Sequence, residues 1–209
     1  MNPSESTIEV APLDLRADVG AIQDDQRTVE LTFSTGADVV RYDWNSGSRY
    51  IERLSMDPKH IRMQRLNGGA PLLDSHSAYT LAHQIGVVER AEVDGKKGTA
   101  VVRFSKRADV EPFYQDVRDK IIRNVSVGYR VHRFEESQGK GEMPVRLATD
   151  WEPYEISMVP LAADSRAQVR SSKDIKTNSC VVVMRHAQAT DADRMRRLRL
   201  ALAQETHHG

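Results

Sequence analysis

The chain has 209 residues, enough for one domain of ordinary size with extensions at its ends. Its 30 basic residues balance its 30 acidic residues, so net charge gives no reason to expect nucleic acid as a main partner. No apolar run approaches the roughly 20 residues that a membrane-spanning helix requires. The first residues also lack the apolar stretch of a secretory signal.

The N-terminal part of the chain is predicted to contain an arm and then two extended segments. Residues 1–25 are predicted to be a flexible arm, so that the domain starts at residue 26. Over residues 27–34 apolar side chains alternate with polar ones, the period of a half-buried strand. The stretch DVVRYDW, which follows the turn-like STGAD, is predicted to be a second strand.

The middle of the chain is predicted to mix short helices with strands. Asp57 followed by Pro58 is typical of a helix start, and that helix is expected to end by Asn67. PLLDSH is predicted to be a strand, and the segments IGVVERAEV and GTAVVRF are predicted to form a hairpin through DGKK. A second amphipathic helix is predicted over about residues 110–122, because its apolar residues recur at spacings of three and four.

The segment VSVGYRV is predicted to be a strand with two distinct faces. Val125, Val127, Tyr129 and Val131 lie on one side, whereas Ser126, Gly128 and Arg130 lie on the other. After the polar loop EESQGKGEMP, VRLAT and YEISMV are predicted to be two further strands. These elements predict an α+β, mainly β domain: a small closed or nearly closed antiparallel barrel with a few helices around it.

The C-terminal part is predicted to lie outside this domain. We expect the domain to end at residue 170, so that residues 171–209 form a linker, the short apolar strand SCVVVM and an amphipathic helix. The apolar stripe of that helix is Met195, Leu198 and Leu202. Such a helix after a linker is a common docking element.

Ser126 is the candidate nucleophile. It lies on the polar side of its strand, and Gly128 beside it is expected to let another backbone or a substrate approach closely. A serine hydroxyl is nearly inert until a base takes its proton, so a partner is required. A solvated strand position is the ordinary alternative for such a serine.

The best candidate for the base is His76, among seven histidines. His76 ends an apolar run at a strand edge, where a side chain is both fixed and reachable. His83 remains a second candidate. His132 shares a strand with Ser126 but is about 20 Å away along it, and a purely structural role is the alternative for His76 itself.

A carboxylate is expected to orient the base, and two candidates stand. Glu155 interrupts the strand-like run YEISMVP, where a carboxylate is costly unless it is paired or hydrogen-bonded. Asp74 lies on the same face of its strand as His76, about 7 Å away, and could be a simpler local partner. Reasoning from the residues does not separate the two.

The sequence lacks the motifs of other kinds of catalytic site. The sequence has no G-x-S-x-G elbow, no H-E-x-x-H motif and no phosphate-binding loop, so no metal or cofactor is predicted. Cys180, the only cysteine, excludes an internal disulfide and has no basic partner beside it in sequence. It is predicted to be a buried bystander rather than a thiol nucleophile. The basic run RMRRLRL is predicted to be a solvated helix face.

The segments LLDSHS, IGVV, NVSVGY and WEPYEISMVPLAAD, in this order, resemble the prohead maturation proteases of tailed bacteriophages. That family is distantly similar in fold to the herpesvirus assemblins, and the resemblance covers about residues 27–170. It implies a triad of His76, Ser126 and Glu155. Arg166 lies in a stretch comparable to the arginine-containing oxyanion loop of the assemblins, but it matches that loop only loosely.

The resemblance implies a serine endopeptidase without a cofactor. Its substrates would be the scaffold protein, extensions of the major capsid protein and finally the protease itself. It would act inside the viral procapsid, in the host cytoplasm, with no membrane partner, and it could form a homo-oligomer. The rival hypothesis is a capsid-assembly or scaffold-like protein that keeps the fold without turnover. A third hypothesis is an unrelated serine hydrolase that acts on small esters.

Overall fold

A computed structural model describes residues 5–10, 13–44, 46–137, 143–160 and 178–185. The strands are β1 (Glu5–Val10), β2 (Leu13–Gln23), β3 (Thr28–Ser34), β4 (Val39–Asp43), β5 (Ser48–Leu54), β6 (Pro71–Asp74), β7 (Gln84–Val93), β8 (Gly98–Phe104), β9 (Asn124–Ser137), β10 (Val145–Met158) and β11 (Asn178–Arg185). The α-helices are α1 (Gln64–Asn67) and α2 (Glu111–Arg118). The mainly β class with a few helices is therefore confirmed.

The strands form one 11-stranded sheet in the order β1-β11-β9-β2-β3-β8-β7-β6-β10-β5-β4. Strands β1 and β4 lie at the two ends of this order. The sheet is not purely antiparallel, because β10 runs parallel to β5 and β6, and β11 runs parallel to β9. The expectation that all strands are antiparallel is thus wrong. In addition, β9 pairs with β10, and this pairing joins the seven strands that run from β9 to β10 in the order above into a ring.

Several predicted elements are confirmed. Strands β3, β4 and β9 and the β7–β8 hairpin lie where the patterns placed them, and β11 matches the apolar SCVVVM. Asp57 is a cap as expected, because it accepts a hydrogen bond from the Lys59 N–H at 2.9 Å, but the single helix expected from there to Asn67 is wrong. A 3-10 turn (Pro58–His60) and the separate helix α1 flank Ile61, which forms a β-bridge with Trp151. The predicted strands VRLAT and YEISMV are one continuous strand, β10, because β9 pairs along its whole length.

The N-terminal segment differs from the expectation of a flexible arm. Residues Leu13–Gln23 form β2, whose first half pairs with β9 and whose second half pairs with β3. Residues Glu5–Val10 form β1, which pairs with β11. Arms and sheet strands are not distinguished by composition alone, because backbone pairing with a distant strand leaves no local signal. The division at residue 170 stays a prediction, and the C-terminal amphipathic helix lies outside the described residues.

The core is formed by the apolar faces of these strands. Its largest fully buried side chains include Trp151, Tyr129, Phe33, Phe104 and Phe134. Valines of β9, which the alternation placed on the inner face, are buried as expected. The opposite face of β9 carries Ser126 and Gly128, and this face holds the candidate site.

Candidate active site

A β-bulge in β10 turns the side chain of Glu155 away from the core. Trp151 and Pro153 are buried on the core face, and strict alternation would place Glu155 on that same face. The pairing with β9 shifts register between Pro153, which is opposite Tyr129, and Glu155, which is opposite Gly128. One extra residue in a strand re-aims the side chains that follow it. The bulge therefore explains how a carboxylate can interrupt an apolar strand.

Gly128 provides the space that the Glu155 side chain occupies. A Cβ atom added at residue 128 would collide with the carboxyl group of Glu155, which is only 4% exposed. The sequence led us to expect that Gly128 admits a substrate or another backbone. The structure instead shows that the missing side chain makes room for a carboxylate within the same sheet.

His76 lies at the end of β6, in a turn of unusual backbone conformation. Ser75 and His76 have φ values of 50° and 59°, in the left-handed region that non-glycine residues seldom occupy. Because β6 runs parallel to β10, with Asp74 opposite Met158, this turn brings the imidazole to Glu155. His76 Nδ1 lies 2.7 Å from Glu155 Oε1, and the imidazole is 26% exposed.

This hydrogen bond fixes which imidazole nitrogen carries the proton. An ionised carboxylate only accepts hydrogen bonds, so His76 Nδ1 is the donor. In the neutral imidazole the lone pair is then on Nε2, which leaves that nitrogen as the basic one. The orientation is the one that a general base held by a carboxylate requires.

Ser157 is a member of the site that reasoning from the sequence missed. Its hydroxyl donates to Glu155 Oε2 at 2.7 Å and accepts the backbone N–H of His76 at 3.1 Å. The signal was present, because a serine two residues after Glu155 on a strand shares its face. The logic of a catalytic triad requires only a nucleophile, a base and an orienting carboxylate, so it does not point to a further serine.

Ser126 lies on β9, directly opposite Ser157 on β10 and Arg16 on β2. The residue is 1% exposed, and its hydroxyl makes no hydrogen bond among the described residues, including none to His76. A buried hydroxyl without a partner is unusual in a folded protein and calls for an explanation. The ordinary alternative for this serine, a solvated strand position, is therefore wrong, because β2 and β10 flank Ser126.

Asp74, the other candidate for orienting the base, contacts a different histidine. Its Oδ2 lies 3.7 Å from Nδ1 of His83, and its Oδ1 accepts the Ser75 hydroxyl at 2.9 Å. Asp74 is only two residues before His76 in the sequence, but the left-handed turn directs the imidazole of His76 towards β10 instead.

The remaining candidates lie apart from this cluster or outside the described residues. Arg166 is in a segment that the structure does not describe. His132 lies near Glu152, with Nε2 3.7 Å from a carboxylate oxygen. Cys180 is fully buried, and burial raises the pKa of its thiol to about 12, which disfavours the thiolate needed for attack. Among the described residues no cluster of metal-ligating side chains occurs, and none of the described helices is long and apolar enough to cross a membrane.

The comparison with protein families matches the part of the chain that carries this cluster. A family model described as caudovirus prohead serine protease matches residues 68–179. The chain belongs to this family. The matched range contains β6, β9 and β10, and hence His76, Ser126 and Glu155.

A curated relative adds a second link to phage capsids. The chain is 38% identical over 133 residues to a protein of Halomonas phage phiHAP-1 named major capsid protein. The match covers 63% of this chain but only 22% of that protein. No solved structure matches the chain.

Proposed function

We propose that the protein is a serine endopeptidase of phage prohead maturation, with Ser126 as nucleophile, His76 as general base and Glu155 as the carboxylate that orients it. The observation that carries this proposal is the 2.7 Å hydrogen bond from His76 Nδ1 to Glu155. It makes Nε2 the basic nitrogen of an imidazole that is 26% exposed, and the buried Ser126 lies on β9, the strand paired with β10. Membership of the prohead serine protease family supports the same reaction class.

The proposed reaction follows from these roles. His76 Nε2 accepts the proton of Ser126 as Oγ attacks the scissile carbonyl, and the protonated imidazole then gives that proton to the leaving amine. Water hydrolyses the acyl-enzyme with His76 again acting as base. Glu155 stabilises the imidazolium that forms at each stage. General-base help of this kind is worth about 10²–10⁴-fold in rate.

The buried state of Ser126 places a requirement on this mechanism. A hydroxyl that is 1% exposed cannot meet a substrate until the segments around it separate. Catalytic hydrogen bonds are often long or unmade without substrate and form when it binds. We infer that substrate entry opens the site beside Ser126 and aligns its hydroxyl with His76.

The substrates we propose are the scaffold protein, extensions of the major capsid protein and the protease itself, all inside the procapsid in the host cytoplasm. The family description and a relative named major capsid protein support a role at the capsid. Because the chain spans 22% of that relative, the remainder of the relative has no counterpart in this match. A protease domain held close to the capsid protein would meet that substrate at a high local concentration.

Two further proposals concern the type of barrel and the division of the chain into a catalytic and a docking part. We propose that the β9–β10 pairing reflects a barrel of the assemblin type, with strands β1, β11, β4 and β5 added around it. We also propose that residues 26–170 contain the catalytic unit, and that residues 171–209 dock it to the scaffold or shell before removal by self-processing. A chain ending at residue 170 that is packaged normally would contradict the docking role.

A second function is favoured by two observations. The relative's name is that of a structural protein, which fits a capsid-assembly protein that keeps the protease fold without turnover. The hydroxyl of Ser126, which is buried and has no hydrogen-bond partner within the described part of the chain, also fits a site that does not react. The two functions differ in whether Ser126 is needed.

Co-expression with the scaffold and capsid proteins of the same phage distinguishes them. We expect Ser126→Ala to abolish processing of both proteins, as seen by mass spectrometry of their termini. Ser137→Ala is the matched control, since Ser137 is an exposed serine on the same strand and should leave processing unchanged. Normal processing by the Ser126→Ala protein would leave the structural function as the better account.

A further inference from the structure

Ser157 touches both residues of the histidine–carboxylate pair. It is completely buried on β10, where the bulge has placed it on the same face as Glu155. Its O–H donates to Oε2 of Glu155 at 2.7 Å, while Oε1 accepts from the imidazole of His76 at 2.7 Å. The two carboxylate oxygens thus have different donors, so the carboxylate cannot rotate without losing one of these hydrogen bonds.

The same hydroxyl fastens the left-handed turn that carries His76. The N–H groups of Ser75 and His76 donate to β10, to the Met158 carbonyl at 2.9 Å and to Ser157 Oγ at 3.1 Å. Two consecutive non-glycine residues at positive φ persist only where surrounding contacts hold them. Of these two contacts, the one to Ser157 is the only one made through a side chain and hence the one that substitution can remove.

We propose that Ser157 is a positioning residue, which locks the Glu155 carboxylate and the backbone of His76 into the geometry that directs the imidazole to Ser126; this rests on the proposed function. Ser157 lies opposite Ser126 in the pairing of β9 and β10. Its buried hydroxyl therefore joins Glu155 to the backbone of His76 at the position directly opposite Ser126. Ser157 does not itself exchange a proton with the substrate.

The first test uses the full chain and a fluorophosphonate probe that phosphonylates an activated serine. In this step Oγ of Ser126 forms a bond to phosphorus, fluoride leaves, and His76 takes the hydroxyl proton. Since misplacement of a base affects reaction more than binding, we expect Ser157→Ala to lower the maximal labelling rate about 100-fold with little change in the half-saturating probe concentration. Ser157→Thr, which retains the hydroxyl, should recover most of that rate.

Ser34→Ala is the matched control. Ser34 is also a completely buried serine whose Oγ accepts a backbone N–H, that of Gly36 at 3.3 Å, but it lies on β3. It should cost a similar small amount of stability in thermal unfolding while leaving the labelling rate unchanged. If Ser34→Ala slowed labelling as much as Ser157→Ala, or if Ser157→Ala had no effect on the rate, the positioning role would be wrong.

A second readout does not depend on activity. The proton on His76 Nδ1 should give a downfield ¹H NMR resonance that is lost in Glu155→Gln. Ser157→Ala should shift or broaden it, and Ser34→Ala should leave it unchanged. If the wild-type chain is not labelled at all, the proposed function fails, whereas this resonance still decides the role of Ser157: an unchanged resonance in Ser157→Ala overturns it.

Discussion

Two buried carboxylates lie on opposite sides of β9, and their partners differ. Glu52 is 1% exposed and accepts a hydrogen bond from the hydroxyl of Tyr129, with Arg41 Nε 3.4 Å from the same oxygen. Glu155 is 4% exposed and contacts the imidazole of His76 and the hydroxyl of Ser157. Each cluster also contains one buried oxygen without a partner among the described residues: Glu52 Oε2 and Ser126 Oγ.

The difference lies in what each partner can do with a proton. Burial raises the pKa of Tyr129 well above its usual value, and Arg41 keeps its charge, so neither serves as a base near neutral pH. Imidazole is the side chain type that can exchange a proton near neutral pH, and the imidazole of His76 is 26% exposed. A buried carboxylate is therefore not by itself a sign of catalysis. The chemistry and exposure of the group that it orients distinguish the two clusters.

The largest expected effect separates the two histidines beside β6. His76→Ala removes the proposed base and should lower the fluorophosphonate labelling rate about 10⁴-fold, the upper range of general-base catalysis. His83→Ala removes the imidazole near Asp74 and should change the rate less than about threefold. Equal losses of labelling rate in both variants would contradict His76 as the single general base.

The next effect decides between the two carboxylates that the sequence left open. Glu155→Gln keeps the size of the side chain but no longer stabilises an imidazolium, so we expect about a 10³-fold loss of labelling or cleavage rate. Asp74→Asn should cost less than about threefold, because Asp74 contacts His83 and Ser75. The reverse ranking would move the orienting role to Asp74.

A smaller loss is expected when Glu155 is displaced rather than removed. Gly128→Ala introduces a Cβ where the carboxyl group now lies, and we expect the rate to fall about 100-fold as the carboxylate moves from His76. Gly68→Ala, at the end of α1, is the control and should leave the rate unchanged. A Gly128→Ala protein with wild-type activity would show that Glu155 does not have to occupy this position.

The smallest effect on activity is expected in the Glu52 cluster. Burial raises the pKa of the Glu52 carboxyl, so the folded protein binds more protons here than the unfolded chain. The stability that this proton uptake contributes is present at low pH and is lost as pH rises from the usual glutamate pKa of about 4.5 towards the raised value. Glu52→Gln should remove that component from the free energy of unfolding measured against pH, and should leave labelling within about threefold.

The elements of the fold that local pattern determines were predictable. The alternation of β9, the β7–β8 hairpin and the Asp57 cap follow from neighbouring residues, and each was confirmed. The parallel pairings of β10 and the pairing of β2 with β9 and β3 were not predictable from such patterns. These pairings depend on contacts between segments far apart in the chain, and such contacts leave no periodic pattern in the sequence of either segment.

The candidate site shows the same division. His76 and Glu155 could be singled out because each is a polar group where the pattern is apolar. The bulge that turns Glu155, the need for Gly128 and the two hydrogen bonds of Ser157 required the register between β9 and β10. Burial of Ser126 was also missed, because the strand that covers it comes from the segment expected to be an arm.

The most direct measurement of the central claim is the site of covalent labelling in the full chain. After reaction with a fluorophosphonate probe, peptide mass spectrometry should find the adduct on Ser126, and His76→Ala should abolish it while the protein stays folded. Absence of the adduct from Ser126 in the folded wild-type chain, or an adduct that forms equally well without His76, would contradict the proposed serine protease.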